Sequence, residues 1–201
     1  PLPVLCGIAV KDRDGALHSP NPLCAAQTET PASGCSVPCS QIKPCERRLS
    51  LIAIFHCTLK MVQRSKGKSA VGAAAYRSGT KLINEWDGMT HDYTRKGGVV
   101  HSEIMLPAHA PPEFQDRSIL WNSVEQIEKS KDSQLAREVE VALPVELSRE
   151  QQLSLVRAYV KDNFVDKGMC ADFAIHDRDT GNPHAHILLT VRPLKENGQW
   201  G

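Results

Sequence analysis

The sequence has few aromatic residues, no excess of charge of either sign and no long apolar run. Aromatic residues make up only 5% of the 201 residues, so the core has to be built mainly from aliphatic side chains. Lys and Arg number 24 against 23 Asp and Glu, which excludes a uniformly basic nucleic-acid coat and an acidic disordered chain. No apolar stretch approaches the ~20 residues that cross a bilayer, and no basic-then-apolar leader opens the chain. We therefore expect a cytoplasmic globular protein in which any polyanion binding comes from a local patch.

The first fifty residues differ in composition from the rest. They hold most of the Pro-, Ser- and Thr-rich stretches and show no sustained helical or strand period. They also contain most of the cysteines, but the spacing of Cys35, Cys39 and Cys45 matches no paired-cysteine zinc pattern. We predict a disordered or non-native leader over residues 1–50. A folded domain is predicted over residues 51–201, truncated at its C-terminal end, because the sequence stops abruptly at Gly201.

Periodicity in the second part predicts alternating strands and helices. Strands are expected at residues 54–61, 99–106, 135–143, 169–176 and 184–191, and helices at 70–77, 111–127 and 149–167. Ser148 with Gln151 forms a capping-box pattern at the start of the third helix. A turn-rich segment, residues 177–183, is expected to join the last two strands as a hairpin. This order is typical of an α+β fold with a largely antiparallel sheet covered by helices.

The last predicted hairpin carries three histidines. Because side chains alternate along a strand, His184 and His186 point the same way, while the apolar residues between and after them point into the opposite layer. His176 ends the preceding strand, and a hairpin centred near Thr180 brings it opposite His184. The pattern therefore predicts three imidazoles on one face of the sheet.

Three neutral imidazoles on a rigid sheet suit a divalent metal ion that keeps open positions for substrate oxygens. Asp172 and Asp177 are weaker ligand candidates in the same hairpin. The alternative is that these histidines are surface residues of a polar sheet face. Two carboxylates, Glu138 and Glu140, share one face of the predicted strand at residues 135–143.

Tyr76 lies in an alanine-rich predicted helix and is flanked by basic residues. A tyrosine hydroxyl beside a divalent cation and arginines can serve as the nucleophile on a phosphodiester. The alternatives are that Tyr76 is a packing residue and that the basic run is a solvated face. Together the cations predict a phosphate-binding surface. They are Arg64, Lys66, Lys68, Arg77, Arg95 and Lys96.

Four separated stretches resemble the MobA/MobL family of plasmid mobilisation relaxases, including the relaxase part of TraA-type conjugation proteins. They are residues 64–79, 91–101, 134–140 and 181–189, the last reading Gly-Asn-Pro-His-Ala-His-Ile-Leu-Leu. The likeness covers about residues 52–194 and does not reach the first fifty. The resemblance implies the fold of the HUH endonucleases, a ferredoxin-like or palm-like antiparallel sheet with helices packed mainly on one face. Many members of the family continue into a helicase or primase region.

The resemblance also implies an activity and a set of site residues. Such relaxases nick one strand at an origin of transfer, leaving a 5′-phosphotyrosyl link and a free 3′ hydroxyl, and later rejoin the ends. Tyr76 would be the nucleophile, and His176, His184 and His186 would hold Mg²⁺ or Mn²⁺. Glu138 or Glu140 would act as base, proton acceptor or partner of a metal ligand. The implied partners are single-stranded origin DNA, accessory mobilisation proteins and a type IV secretion coupling protein.

Two other functions are compatible with the residues. A histidine-triad-type nucleotide hydrolase uses a histidine nucleophile and needs no tyrosine. Its activity would survive Tyr76→Phe and be lost in His184→Ala. A non-catalytic single-stranded DNA-binding module would bind DNA and leave it intact in Mn²⁺ or Mg²⁺.

Overall fold

The structure is a computed structural model, and it describes residues 56–178 and 182–201. The leader predicted over residues 1–50 and the centre of the last predicted hairpin turn, near Thr180, lie outside the described residues. Within the described residues, no helix has the length and apolar character needed to span a bilayer.

Five of the strands form one antiparallel sheet. In chain order the strands are β1 (Cys57–Gln63), β2 (Lys81–Ile83), β3 (Thr90–Asp92), β4 (Val99–Met105), β5 (Gln134–Ala142), β6 (Ala171–His176) and β7 (His184–Thr190). The large sheet has the order β1-β5-β7-β6-β4, and all four of its pairings are antiparallel. The predicted α+β class with an antiparallel sheet is therefore confirmed.

Three helices connect these strands in the described part of the chain: α1 (Ala70–Ser78), α2 (Arg117–Ile127) and α3 (Arg149–Asn163). The predicted capping box at the start of α3 is present. The second helix begins at Arg117, later than the start predicted at residue 111, and follows a separate 3-10 turn at Pro112–Gln115. The reason is that the Asp116 carboxylate accepts hydrogen bonds from the amides of Ser118 and Ile119 and so starts α2 at Arg117.

The sheet is covered on both faces. Leu188 of β7 belongs to a core with buried apolar residues of α1 and α2, among them Trp121. Phe173 and Ile187 belong to a second core with Val156 of α3. Because neighbouring residues of a strand point to opposite faces, α1 and α2 lie on one face and α3 lies on the other.

A small hairpin formed by β2 and β3 packs beside α1 and α2, and the sequence did not predict it. Its tip is fixed by Asn122 of α2, whose amide nitrogen donates to the carbonyl of Ile83 and whose amide oxygen accepts from the backbone of Glu85. The ring of His91 packs directly on Gly72 of α1, where an added Cβ would lie 2.9 Å from the ring. Glycine at this position therefore allows the hairpin to approach α1 closely.

Candidate active site

The sheet register brings the predicted histidines and glutamates to the same face. His176 of β6 pairs directly with His184 of β7, as the predicted hairpin requires. His186 pairs with Glu140 of β5, and Glu138 lies two residues before Glu140 on the same strand. Directly paired and next-but-one residues of antiparallel strands share a face. All five side chains therefore belong to the face that α1 and α2 cover only in part.

His176 connects this face to the end of α1. Its ring lies 4.5 Å from the ring of His186 between centroids, and its Nε2 lies 2.6 Å from the carbonyl oxygen of Arg77. A carbonyl can only accept, so Nε2 carries the hydrogen and Nδ1 keeps its lone pair. Burial, with the nearby charges of Lys96, His186 and Arg77, lowers the pKa of His176 to about 4 against the raising effect of this hydrogen bond. The imidazole is therefore neutral near pH 7, the state that a metal ligand requires.

Glu138 is held by two partners at once. Arg77 donates from Nε to its carboxylate at 2.9 Å and also contacts the second oxygen. Nδ1 of His186 lies 3.4 Å from the same carboxylate. Burial raises the pKa of Glu138, but the hydrogen bonds from His186 and Arg77 outweigh it and bring the pKa to about 2. Glu138 is therefore ionised at neutral pH and is suited to orient His186.

Glu140 is the less constrained of the two carboxylates. It accepts a hydrogen bond from Lys60 at 2.8 Å, and its side chain is more exposed than that of Glu138. This hydrogen bond is the main reason why the pKa of Glu140 is lowered.

The same region contains a candidate group of metal ligands. Among the described residues, the group whose ligand atoms all lie within 4.8 Å of one another is Glu138, Glu140 and His186. Two carboxylates with an imidazole suit a hard divalent ion of the Mg²⁺ or Mn²⁺ type. His184 shares the face, and its ring lies 6.4 Å from that of His56. The structure thus places His186 beside both glutamates and also beside His176, with 4.5 Å between the two ring centroids.

Tyr76 lies at the end of α1 with its side chain accessible. It is 45% exposed, and the ring of Tyr93 meets it edge-on at 5.2 Å between centroids. The ammonium of Lys96 lies 3.6 Å from the centre of the Tyr76 ring and donates to the Tyr76 carbonyl oxygen at 2.7 Å. Arg77, the next residue of α1, contacts both His176 and Glu138. The tyrosine and the histidines are thus anchored to the same helical turn.

The predicted basic residues divide into three groups. Arg77 and Lys96 lie at the site, whereas Arg64 points into the structure. Its guanidinium pairs with the buried carboxylate of Glu125 at 2.8 Å and stacks on Trp86 at 4.2 Å. Lys66, Lys68 and Arg95 are exposed.

One cation near the site was not predicted. The Arg178 side chain crosses Gly98, where an added Cβ would lie 2.8 Å from its Cγ, and Gly98 has a positive φ of 84°. The charge of Arg178 also contributes to lowering the pKa of Lys96. Two features of the sequence could have indicated this cation. Arg178 lies two residues after His176, and glycines 97 and 98 leave space for a long side chain.

Two other features are separate from this site. A cleft of about 790 Å³ opens between β2, β4 and the start of α2, and its lining includes none of the predicted site residues. The Asp172 carboxylate accepts hydrogen bonds from Arg117 and from the Trp121 indole at 2.9 Å or less. It thus holds α2 on the sheet and is not available as a metal ligand.

The MobA/MobL family model matches residues 68–201. Among curated relatives, the conjugal transfer protein TraA of Agrobacterium fabrum is 45% identical over 157 residues, which cover 73% of this chain and 14% of TraA. The mobilization protein MobL of Acidithiobacillus ferridurans is 39% identical over 175 residues, covering 75% of this chain and 46% of MobL. The chain thus spans only a small part of the TraA relatives and less than half of MobL.

A solved structure also matches this fold. It is described as the molecular basis of vancomycin resistance transfer in Staphylococcus aureus. The match has a TM-score of 0.70 and 34% identity, and it covers 74% of this chain and 76% of the other.

Proposed function

Because this chain belongs to the MobA/MobL family of mobilisation relaxases, we propose that it nicks and rejoins one DNA strand at a plasmid origin of transfer. The domain responsible is residues 51–201. The observation that carries the proposal is the contact between His176 and the Arg77 carbonyl. This contact anchors the accessible tyrosine and the histidine-bearing strands to one turn of α1.

In the proposed reaction, the Tyr76 hydroxyl attacks the scissile phosphorus. A bond forms between the tyrosine oxygen and phosphorus, and the bond from phosphorus to the 3′ oxygen breaks. The tyrosine proton passes to an acceptor, and the departing 3′ oxygen takes up a proton to become a hydroxyl. The phosphotyrosyl ester retains the energy of the phosphodiester, so the reverse reaction rejoins the strand without a nucleotide cofactor.

Glu140 is the better candidate for the proton acceptor. Protonating Glu138 would cost its hydrogen bonds with both Arg77 and His186, which hold its pKa at about 2. Glu140 has one lysine partner and a more exposed carboxylate. Glu138 is therefore proposed as a positioning residue that acts through His186 and Arg77.

A divalent ion, Mg²⁺ or Mn²⁺, would be held by His176, His184 and His186 with carboxylate help from Glu138 or Glu140. When bound, such an ion supplies Lewis acidity at the nonbridging phosphate oxygens. His176 and His186 fit this role because each has a hydrogen-bond partner that fixes the ring: the Arg77 carbonyl for His176 and the Glu138 carboxylate for His186.

The proposed substrate is single-stranded origin DNA. Arg178, which lies close enough to Lys96 to lower its pKa, and the exposed Lys66, Lys68 and Arg95 would form the basic surface along the strand. Accessory mobilisation proteins and a type IV secretion coupling protein are the proposed protein partners, on the basis of the family alone.

The test is a nicking assay on labelled single-stranded origin DNA with Mn²⁺, followed by denaturing electrophoresis. The expected product is a protein–DNA adduct that survives denaturation, disappears with chelator and is absent in Tyr76→Phe. Tyr159→Phe is the matched control, because Tyr159 is a similarly exposed tyrosine on α3, across the sheet. Cleavage without an adduct would indicate histidine-based hydrolysis. Binding without cleavage would indicate a non-catalytic DNA-binding module.

A further inference from the structure

The last turn of α1 has two carbonyl groups capped by side chains from outside the helix. Helix ends leave their final carbonyls without intrahelical partners. The Arg77 carbonyl accepts from His176, and the Tyr76 carbonyl accepts from the ammonium of Lys96 at 2.7 Å. A cation at this position is also favoured by the negative end of the helix dipole. Lys96 is therefore a structural part of the turn that carries Tyr76.

The same ammonium also contacts the side chain of Tyr76. It lies 3.6 Å from the ring centre, well within the range of a cation–π contact. Tyr93 closes on the ring edge-on, with 5.2 Å between the centroids. An otherwise exposed tyrosine is thus held between a lysine and a second tyrosine. Both partners come from the segment just after β3, whose path is fixed by a hydrogen bond from Tyr93 to the Thr80 carbonyl.

Lys96 is also unlike a lysine that follows a DNA backbone. Such a lysine extends a fully hydrated ammonium into solvent. Lys96 is half-buried, and burial, together with the charges of Arg77 and Arg178, lowers its pKa to about 8. The sequence-based prediction placed Lys96 with the general DNA-binding cations, but its contacts are directed to Tyr76.

We propose that Lys96 is a positioning residue that holds the Tyr76 ring in the orientation for attack on phosphorus. The inference rests on the proposed function, in which Tyr76 is the nucleophile. Its physical basis is that a nucleophile already fixed in the reactive orientation does not lose conformational entropy on reaching it. A displacement of the reacting group by about 1 Å can cost about 100-fold in rate. Lys96 acts through Tyr76 and is distinct from cations that bind the strand.

The experiment compares Lys96→Met, which keeps the length of the side chain, and Lys96→Arg, which keeps a cation able to lie over the ring. Lys167→Met is the control, since Lys167 is an exposed lysine just after α3. Three quantities are measured: the single-turnover rate of adduct formation at saturating DNA, the salt dependence of DNA affinity, and the NMR resonances of the Tyr76 ring, assigned with Tyr76→Phe.

We expect Lys96→Met to lower the saturated rate by about 10- to 100-fold, while DNA affinity and its salt dependence stay close to those of the parent protein. The Tyr76 ring resonances should move or broaden, whereas those of Tyr159 on α3 should stay in place. Lys96→Arg should recover most of the rate, and Lys167→Met should match the parent protein.

Two results would overturn the inference. An unchanged saturated rate, with lower affinity and a salt slope reduced by about one, would make Lys96 an ordinary phosphate contact. Tyr76 ring resonances unaffected by Lys96→Met would show that the lysine does not hold the ring. If Tyr76→Phe still formed the adduct, the proposed function itself would fail, and that result is read independently of any Lys96 variant.

Discussion

The imidazole of His176 and the backbone carbonyl of Arg77 lie 2.6 Å apart, although 99 positions of sequence separate the two residues. The contact links the end of β6 to the end of α1. It also fixes which ring nitrogen of His176 carries the hydrogen. The position of the candidate nucleophile on α1 is therefore set relative to the sheet that carries the candidate metal ligands.

Arg77→Met should destabilise the domain strongly. The side chains of Arg77 and Glu138 are 13% and 10% exposed, so the substitution leaves a poorly solvated carboxylate without its main partner. Breaking such a pair from one side costs about 3 kcal/mol. Denaturant unfolding measures the change. Lys161→Met breaks the solvent-exposed pair with Asp166 and should leave the unfolding midpoint nearly unchanged; equal effects of the two variants would contradict this account.

The ion pair also predicts how stability depends on pH. The pKa of Glu138 is lowered from 4.5 to about 2 on folding, so the unfolded chain binds the proton more readily than the folded one. The stabilising contribution is therefore fully present above about pH 4.5 and is lost as the pH falls from there towards 2. Thermal unfolding of the parent protein and of Glu138→Gln between pH 2 and 6 should show a smaller pH dependence in the variant. An equal dependence of unfolding temperature on pH in the two proteins would contradict the lowered pKa of Glu138.

Metal binding should distinguish the two candidate ligand sets. His186 belongs to both, so His186→Ala should abolish Mn²⁺ binding measured by calorimetry. His184→Ala should do the same if the three histidines are the ligands, whereas Glu140→Gln should do so if the carboxylates are. His101→Ala is the control, because His101 is on β4, where it contacts Glu103 and packs near Phe173. Unchanged binding in His186→Ala would place the metal elsewhere.

Arg178 should behave as a phosphate contact. Arg178→Met should weaken binding of single-stranded DNA and reduce the salt slope of log affinity by about one. Gly98→Ala should also weaken DNA binding, because a Cβ there would displace the arginine, and it should lower stability as well, because the positive φ of Gly98 is strained for alanine. Fluorescence anisotropy at several salt concentrations measures both. A weakened affinity with an unchanged salt slope would mean that Arg178 supports the backbone at Gly98 and does not contact the DNA.

Periodicity was sufficient to predict the elements that carry the histidines and the tyrosine. The alternation of His184 and His186 with small apolar residues requires them to share a face, and the turn-forming segment before them fixes the pairing with His176. The alanine-rich stretch around Tyr76, ended by Gly79, likewise predicted α1 nearly to the residue. These features depend on local sequence, which is why they could be predicted.

The features that sequence alone did not predict depend on partners distant in the chain. Strands β2 and β3 are three residues each, too short to show a period. The sequence alone predicts that Arg64 is a DNA-binding cation, but its side chain pairs with Glu125, which lies 61 positions later in the chain. The contact of Lys96 with Tyr76 spans twenty positions and an intervening hairpin. In each case tertiary packing, and not the local sequence, determines the partner of the strand or side chain.

The three strands that carry the candidate ligands, β5, β6 and β7, are the inner three of the five-stranded sheet, and each has a neighbour on both sides. Strands with two neighbours exchange their amide hydrogens last, because they open only when most of the domain unfolds. Lys96 and Tyr93 lie outside the large sheet, in the segment that follows β3. We therefore expect the amides of this segment to exchange before those of the strands that carry the glutamates and histidines.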